Sequence, residues 1–254
     1  MNRQWLLLVL SLALLILQGC KNEKEKQNYV FPLQIGNHWM MIHEAIGIDE
    51  SDTGYTDTLN MWVDQTEISP SNEPCYRLKY LYSGIDRDDY GYEYLVNRTD
   101  GLYLLGYSGG GSGYMPLKKG SVKMLNPGVF SRQYPKSDSK EITWLTTPRL
   151  IIPRDCSEGK SWGYPETDEF GLINYCMEAK QTVMTGCGEF SSHTRKAAVW
   201  GDDPDGWSYY DYYSNVGLSK FRYEDLYEQT NVNGDLIGTV LVVEQLLLES
   251  YELN

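Results

Sequence analysis

The feature that most constrains this chain is a period of two, broken at short intervals by turn residues. In residues 75–82, Tyr76, Leu78, Tyr80 and Tyr82 share one face of an extended chain, with Arg77 and Lys79 opposite. In residues 89–97, Tyr90, Tyr92, Tyr94 and Val96 share a face in the same way. Side chains alternate across a strand, so this pattern predicts strands and not helices. Turn signals recur at 49–54, 70–74, 99–101, 109–113, 126–128, 202–206 and 231–234. Short alternating runs between frequent turns predict an antiparallel sheet. The 21 Tyr and 7 Trp, against 5 Phe, suit pleated, half-buried surfaces. The run 239–253 is ambiguous: residues 244–249 hold good helix formers, but the polar ones gather on no single helical face, so it reads as a long strand. The expectation is a mostly β, single antiparallel domain over residues 29–254, a curved sheet or open barrel behind an N-terminal signal peptide helix.

Residues 1–19 read as an address. Arg3 supplies a positive charge, and residues 5–17 are an almost unbroken apolar run. As a helix, thirteen residues span roughly 20 Å, short of the ~30 Å hydrocarbon core. A charged start, a short apolar stretch and a small residue at the end describe a signal peptide. Residues 21–28 are polar and charged, and with Cys20 they form a tether.

Leu17-Gln18-Gly19-Cys20 resembles the bacterial lipobox, in which the cysteine is acylated and becomes the first mature residue. Palmitate-type chains on Cys20 would give a stable membrane anchor, since two or more chains hold where one is marginal. Lys21, where the inner-membrane retention signal has an aspartate, implies the outer membrane. The charged stretch that follows resembles the surface-export signals of Bacteroidetes lipoproteins; it leaves the periplasmic or surface face open.

With 22 Lys+Arg against 35 Asp+Glu, the net charge is −13. Phosphate binding needs a basic face, so nucleic acid is excluded as the expected partner. Cys75, Cys156, Cys176 and Cys187 remain after Cys20. In an oxidising envelope they could form disulfides, in any of three connectivities. Without a C-x-x-C pair they do not suggest a zinc site.

The chain carries one internal echo. Gly36-Asn37-His38-Trp39 and Gly159-Lys160-Ser161-Trp162 share G-x-x-W, each behind a proline, Pro32 or Pro153. This suggests two similar halves of one domain. A wider likeness attaches to the first copy. Phe31-Pro32-Leu33-Gln34-Ile35-Gly36-Asn37-His38-Trp39, Asp100-Gly101-Leu102-Tyr103 and residues 212–220 are similar to the F-P-L-x-x-G-N-x-W, D-G-[LIV]-Y and G-x-G-L patterns of uncharacterised bacterial envelope lipoproteins. The resemblance implies a LolA-like curved sheet and no activity. Residues 185–188 depart from it where the group has P-A-G, and Asn215 replaces a glycine of the closing pattern.

Candidate chemistry is sparse, and nothing calls for a cofactor or a metal. Gly106-Tyr107-Ser108-Gly109-Gly110 satisfies G-x-S-x-G, with His193 as the nominal base. A nucleophile elbow needs a following helix, however, and glycines at 109–111 oppose one. His38 and His43 fall on opposite strand faces. The acidic turns 49–60 and 202–206 lack the ligand pattern of an EF-hand. In 207–213, Trp207, Tyr209, Asp211 and Tyr213 share a face, and Trp207, Tyr209 and Tyr213 could form a stacking platform for a hydrophobic or glycan ligand. The expected role is a non-enzymatic ligand-binding or structural module, membrane-anchored at Cys20. The alternatives are an envelope hydrolase acting on glycan or ester substrates, and an accessory subunit of an envelope complex.

Overall fold

The computed structural model describes residues 29–46, 58–83, 88–109, 141–164, 172–200, 207–230 and 236–254. The signal peptide, Cys20, the tether, the turns 49–54 and 202–206 and the glycines at 110–113 lie outside these. The strands are β1 His38–Ile46, β2 Thr58–Ile68, β3 Pro74–Ser83, β4 Asp88–Arg98, β5 Gly101–Gly109, β6 Thr143–Pro153, β7 Ser161–Tyr164, β8 Leu172–Met177, β9 Gln181–Thr185, β10 Gly188–Trp200, β11 Trp207–Ser214, β12 Gly217–Thr230 and β13 Leu236–Glu252. All pair antiparallel in one sheet of order β6-β5-β4-β3-β2-β1-β13-β12-β11-β10-β8-β7, and β9 pairs β10 beside this path. The expected mostly β, antiparallel curved sheet is thus what the chain forms.

This order contains two meanders of the same form. One runs from β1 to β6; the other runs from β7 through β8 and β10 to β13. They join where β1 pairs β13, from His38 opposite Glu252 to Ile46 opposite Val243. The equivalent pairing at the other edge would be β6 with β7, and those strands do meet, through side chains. The Trp162 indole donates to the Leu150 carbonyl at 3.0 Å, and the Leu150 amide donates to the Tyr164 hydroxyl at 2.6 Å. The Arg149 guanidinium lies 4.0 Å from the Tyr164 ring centre. The sheet is therefore an open barrel with a seam, its two edges sealed by aromatic side chains.

The sequence echo marks this duplication. Asn37 donates to the Gln34 carbonyl at 3.1 Å, and Lys160 donates to the Ser157 carbonyl at 3.1 Å. Each is a four-residue turn with glycine third, Gly36 at φ 94° and Gly159 at φ 81°. A positive φ at that place favours glycine, which has no Cβ to clash. Each glycine amide then bonds a strand inside its own half: Gly36 to the Val63 carbonyl and Gly159 to the Met177 carbonyl, both at 2.8 Å.

One core fills the barrel. It takes Trp39 and Met41 from β1, Leu59, Met61 and Val63 from β2, and Leu78 and Tyr80 from β3. Facing them are Tyr175 on β8, Tyr209 and Tyr213 on β11 and Phe221 on β12. Before β1, Phe31 packs its ring 5.6 Å from Trp39, and its carbonyl accepts from Asn97 at 2.8 Å. The N-terminal segment thereby plugs one end of the barrel.

Two strands refine the sequence reading. In β4 the alternation is as expected, but the tyrosine face points outward, and Glu93 and Leu95 are the fully buried pair. The cause is Tyr80: a Cβ at Gly91 would stand 2.2 Å from the Tyr80 hydroxyl, so that ring occupies the inner side of β4. Outward, Tyr94 joins Cys75 and Leu105 in a second, smaller cluster beside Trp144. In β13 the helix-forming stretch is held extended, residues 244–247 by ladders on both sides, to β1 and β12. Tertiary pairing overrides local propensity here. The β4–β5 loop is Thr99-Asp100, so Gly101 opens β5 instead of closing the turn. Gly101 is needed because a Cβ there would meet the Ile152 carbonyl at 2.4 Å.

Candidate functional site

The most chemically loaded place among the described residues is inside the barrel, beneath the seam. Arg195 on β10 and Asp211 on β11 are direct cross-strand partners. Both are buried. The Arg195 guanidinium donates from Nε and Nη2 to Asp211 Oδ2, and from Nη1 to the Ile151 carbonyl of β6. Its carbon lies 4.8 Å from the Tyr175 ring centre and 5.6 Å from that of Tyr213. Burial opposes the charge on Arg195, yet Tyr213 and Asp211 hold it protonated, well above the usual arginine range.

A guanidinium with carboxylate, carbonyl and ring faces all committed is a strut, because it ties β10 and β11 to the edge strand β6 across the interior. The aromatic-platform expectation is corrected by the same geometry. Tyr209 and Tyr213 are fully buried core residues, so neither offers a ring to a ligand. The inner face of β11 packs against Arg195 and Phe221 instead of solvent. The side chain of Trp207 lies outside the described set. The signal that would have given this away was Asp211, a charge on an otherwise aromatic face, which makes sense buried only with a cation beside it.

The other candidates fall in separate places. Ser108 is a buried residue within β5, opposite Tyr92 of β4, and Gly109 after it is still paired, with Gly91. His193 sits on β10 with its ring 6.0 Å from Tyr29 in an edge arrangement. Burial, helped by Lys180, lowers its pKa. His38 stacks on Trp62 at 5.1 Å, on the opposite face of β1 from buried His43. Among the described residues, no three His, Cys, Asp or Glu side chains stand together as a metal set.

The four cysteines are free thiols in four settings. Cys75 donates to the Glu67 carbonyl and Cys156 to the Pro153 carbonyl. Cys176 points to the Met177 carbonyl, and Cys187 to the Leu248 carbonyl. Burial raises the Cys75 thiol to about 11 and the Cys156 thiol to about 12. A shallow depression of about 480 Å³ lies at the β7 edge, lined by Ser161, Gly163, Asn174, Cys176, Lys196 and Ala198 with Trp162 and Tyr175 beneath. It gathers one amine and one thiol and no acid–base pair.

No family model matches the chain. No curated protein matches it either. Among solved structures it is similar to a protein assigned as a lipoprotein from Parabacteroides distasonis ATCC 8503, at 14% identity and a TM-score of 0.33, covering 87% of this chain and 97% of that one. It is also similar to a protein assigned as exported, with a YmcC-like fold, from Bacteroides fragilis NCTC 9343, at 15% identity and a TM-score of 0.35, covering 89% of this chain and 99% of that one. At such TM-scores the architecture is read from the chain's own strands.

Proposed function

We propose that this chain is a lipoprotein of the bacterial envelope, held at the outer membrane by acyl chains on Cys20, whose β domain is a non-enzymatic structural or binding module. The observation that carries the non-enzymatic reading is the filled interior. Of the charged groups inside the barrel, Arg195 and Asp211 are paired with each other on β10 and β11 while Glu93 lies apart on β4, and the serine and histidine of the nominal hydrolase pair sit in unrelated settings on β5 and β10. Enzyme sites are concave and bring titratable groups together. Neither the core nor the depression at β7 has that character. The same filling argues against a ligand in the concave face, and favours a role for the outer walls. The anchor rests on residues 1–20, and only eight residues, 21–28, separate Cys20 from Tyr29, the first described residue of the domain.

Intact-mass spectrometry of the protein from membranes of its own host tests the anchor. The expected mass corresponds to cleavage before Cys20 plus acyl chains. Cys20→Ala should abolish acylation and detergent partitioning and leave the β domain folded. An uncleaved mass, or unchanged partitioning of the variant, would remove the lipoprotein reading.

A further inference from the structure

The antiparallel order sorts the connections by end. The start of β1, the β2–β3, β4–β5, β6–β7 and β11–β12 connections and the C-terminus all lie at one end of the barrel. Contacts confirm the gathering. The Tyr29 amide donates to the Arg154 carbonyl, and the Arg154 amide to the Asp100 carbonyl. The Asn254 amide donates to Asn37 Oδ1 at 2.8 Å. This rim is also where the chain arrives from Cys20.

Exposed apolar side chains collect on the same rim. Of the six large apolar residues exposed in the described region, Val30 (46%), Ile35 (52%), Ile68 (59%) and Leu253 (41%) stand on its turns and termini. Single exposed apolar residues are ordinary, but a group of them at one end marks a contact surface. Ile35 and Leu253 flank the Asn37–Asn254 contact, and Val30 follows the Tyr29–Arg154 contact. The charges at this end are of both signs with acids in excess: Arg98, Arg154, Lys160 and Lys180 against Glu67, Glu73, Asp100, Asp155, Glu158, Glu178 and Glu252.

We infer that this rim is the membrane-facing surface of the domain, with Val30, Ile35, Ile68 and Leu253 seated in the interfacial region of the bilayer. The inference rests on anchoring at Cys20. The occupant is set by the length of chain before Tyr29: residues 21–28 reach at most about 30 Å fully extended, so acylation keeps this rim, the end at which the chain arrives, within that distance of lipid. Side chains of this type bury readily at the headgroup boundary. The acidic excess gives anionic lipid nothing to attract, so the contact is apolar and gains nothing from anionic headgroups. The other end of the barrel then points away from the bilayer.

The test uses the acylated full chain in phosphatidylcholine vesicles. A photo-cross-linking benzoylphenylalanine is substituted at Ile35, at Leu253 or, on the exposed outer wall of β8, at Asn174. Lipid adducts are counted by mass. Several-fold more adduct at Ile35 and Leu253 than at Asn174 is expected, unchanged when phosphatidylglycerol is added. Equal yields at the three positions in protein shown to be acylated would overturn the rim orientation and leave the anchor standing. Adducts that appear only with anionic lipid would overturn the apolar contact. Absence of acyl chains on Cys20 would remove both readings.

Discussion

Trp39 and Trp162 hold the same place in the two halves of the sheet. Each is the second residue of a strand that follows a positive-φ glycine turn. Each indole donates to a backbone carbonyl, Trp39 to Val216 and Trp162 to Leu150. They differ in what lies beyond. β1 has a partner on both sides, so Trp39 is fully enclosed, whereas β7 is an edge and Trp162 is half-buried. Trp39→Ala should cost about 3–5 kcal/mol, and Trp162→Ala about 2 kcal/mol, because cavity cost follows enclosure. Urea denaturation of both variants checks this, and equal losses would contradict the unequal enclosure.

The Arg195–Asp211 strut makes a prediction with a sign. Arg195→Met alone leaves a buried carboxylate, and Asp211→Leu alone leaves a buried guanidinium. Each should cost about 3–5 kcal/mol, and the double variant less than their sum, since a buried pair is dear to break and cheap to replace. A double-mutant cycle measures the coupling, and additive losses would show that the two groups do not depend on each other.

The glycine turns separate two causes of strain. Gly159 has open space where a Cβ would stand, but a φ of 81°. Gly159→Ala should therefore cost about 1 kcal/mol from the backbone alone. Gly36 has a φ of 94° and, in addition, the Asn254 amide 2.7 Å from a Cβ. Gly36→Ala should cost more than Gly159→Ala in thermal unfolding, and removal of Asn254 should narrow the gap.

His193 sets a pH dependence. Its folded pKa is lowered by burial and by Lys180. The unfolded state then binds the proton more readily, so stability is full above the ordinary histidine pKa of about 6.5 and is lost as pH falls through the folded value. His193→Asn should flatten this loss in denaturation curves taken between neutral and acid pH. A wild-type profile that rises on acidification over that window would contradict it.

Thiol reactivity should rank by exposure. Cys187, exposed in the β9–β10 turn, should react with maleimide in the folded protein. Buried Cys75 and Cys156, raised to about 11 and about 12, should react only after unfolding. The nucleophile is the thiolate, and both burial and a raised pKa suppress it. Peptide mapping after a brief native labelling distinguishes them.

Much of the architecture was legible in residue order. Alternation and turn residues determined the strands, and the repeated G-x-x-W marked where the two meanders begin, because a positive-φ turn needs glycine and a strand that opens a core needs a large side chain. The address expected of residues 1–20 is likewise a reading of order alone. The tertiary structure decided the rest. Whether an aromatic face such as that of Tyr209 and Tyr213 binds a ligand or fills a core depends on what stands opposite, and there it is Arg195 and Phe221. Which face of β4 turns inward depended on the Tyr80 ring over Gly91. The gathering of Val30, Ile35, Ile68 and Leu253 depended on strand direction. Such contacts join residues far apart in sequence, and local pattern carries no information on which distant side chain will occupy the space a strand leaves.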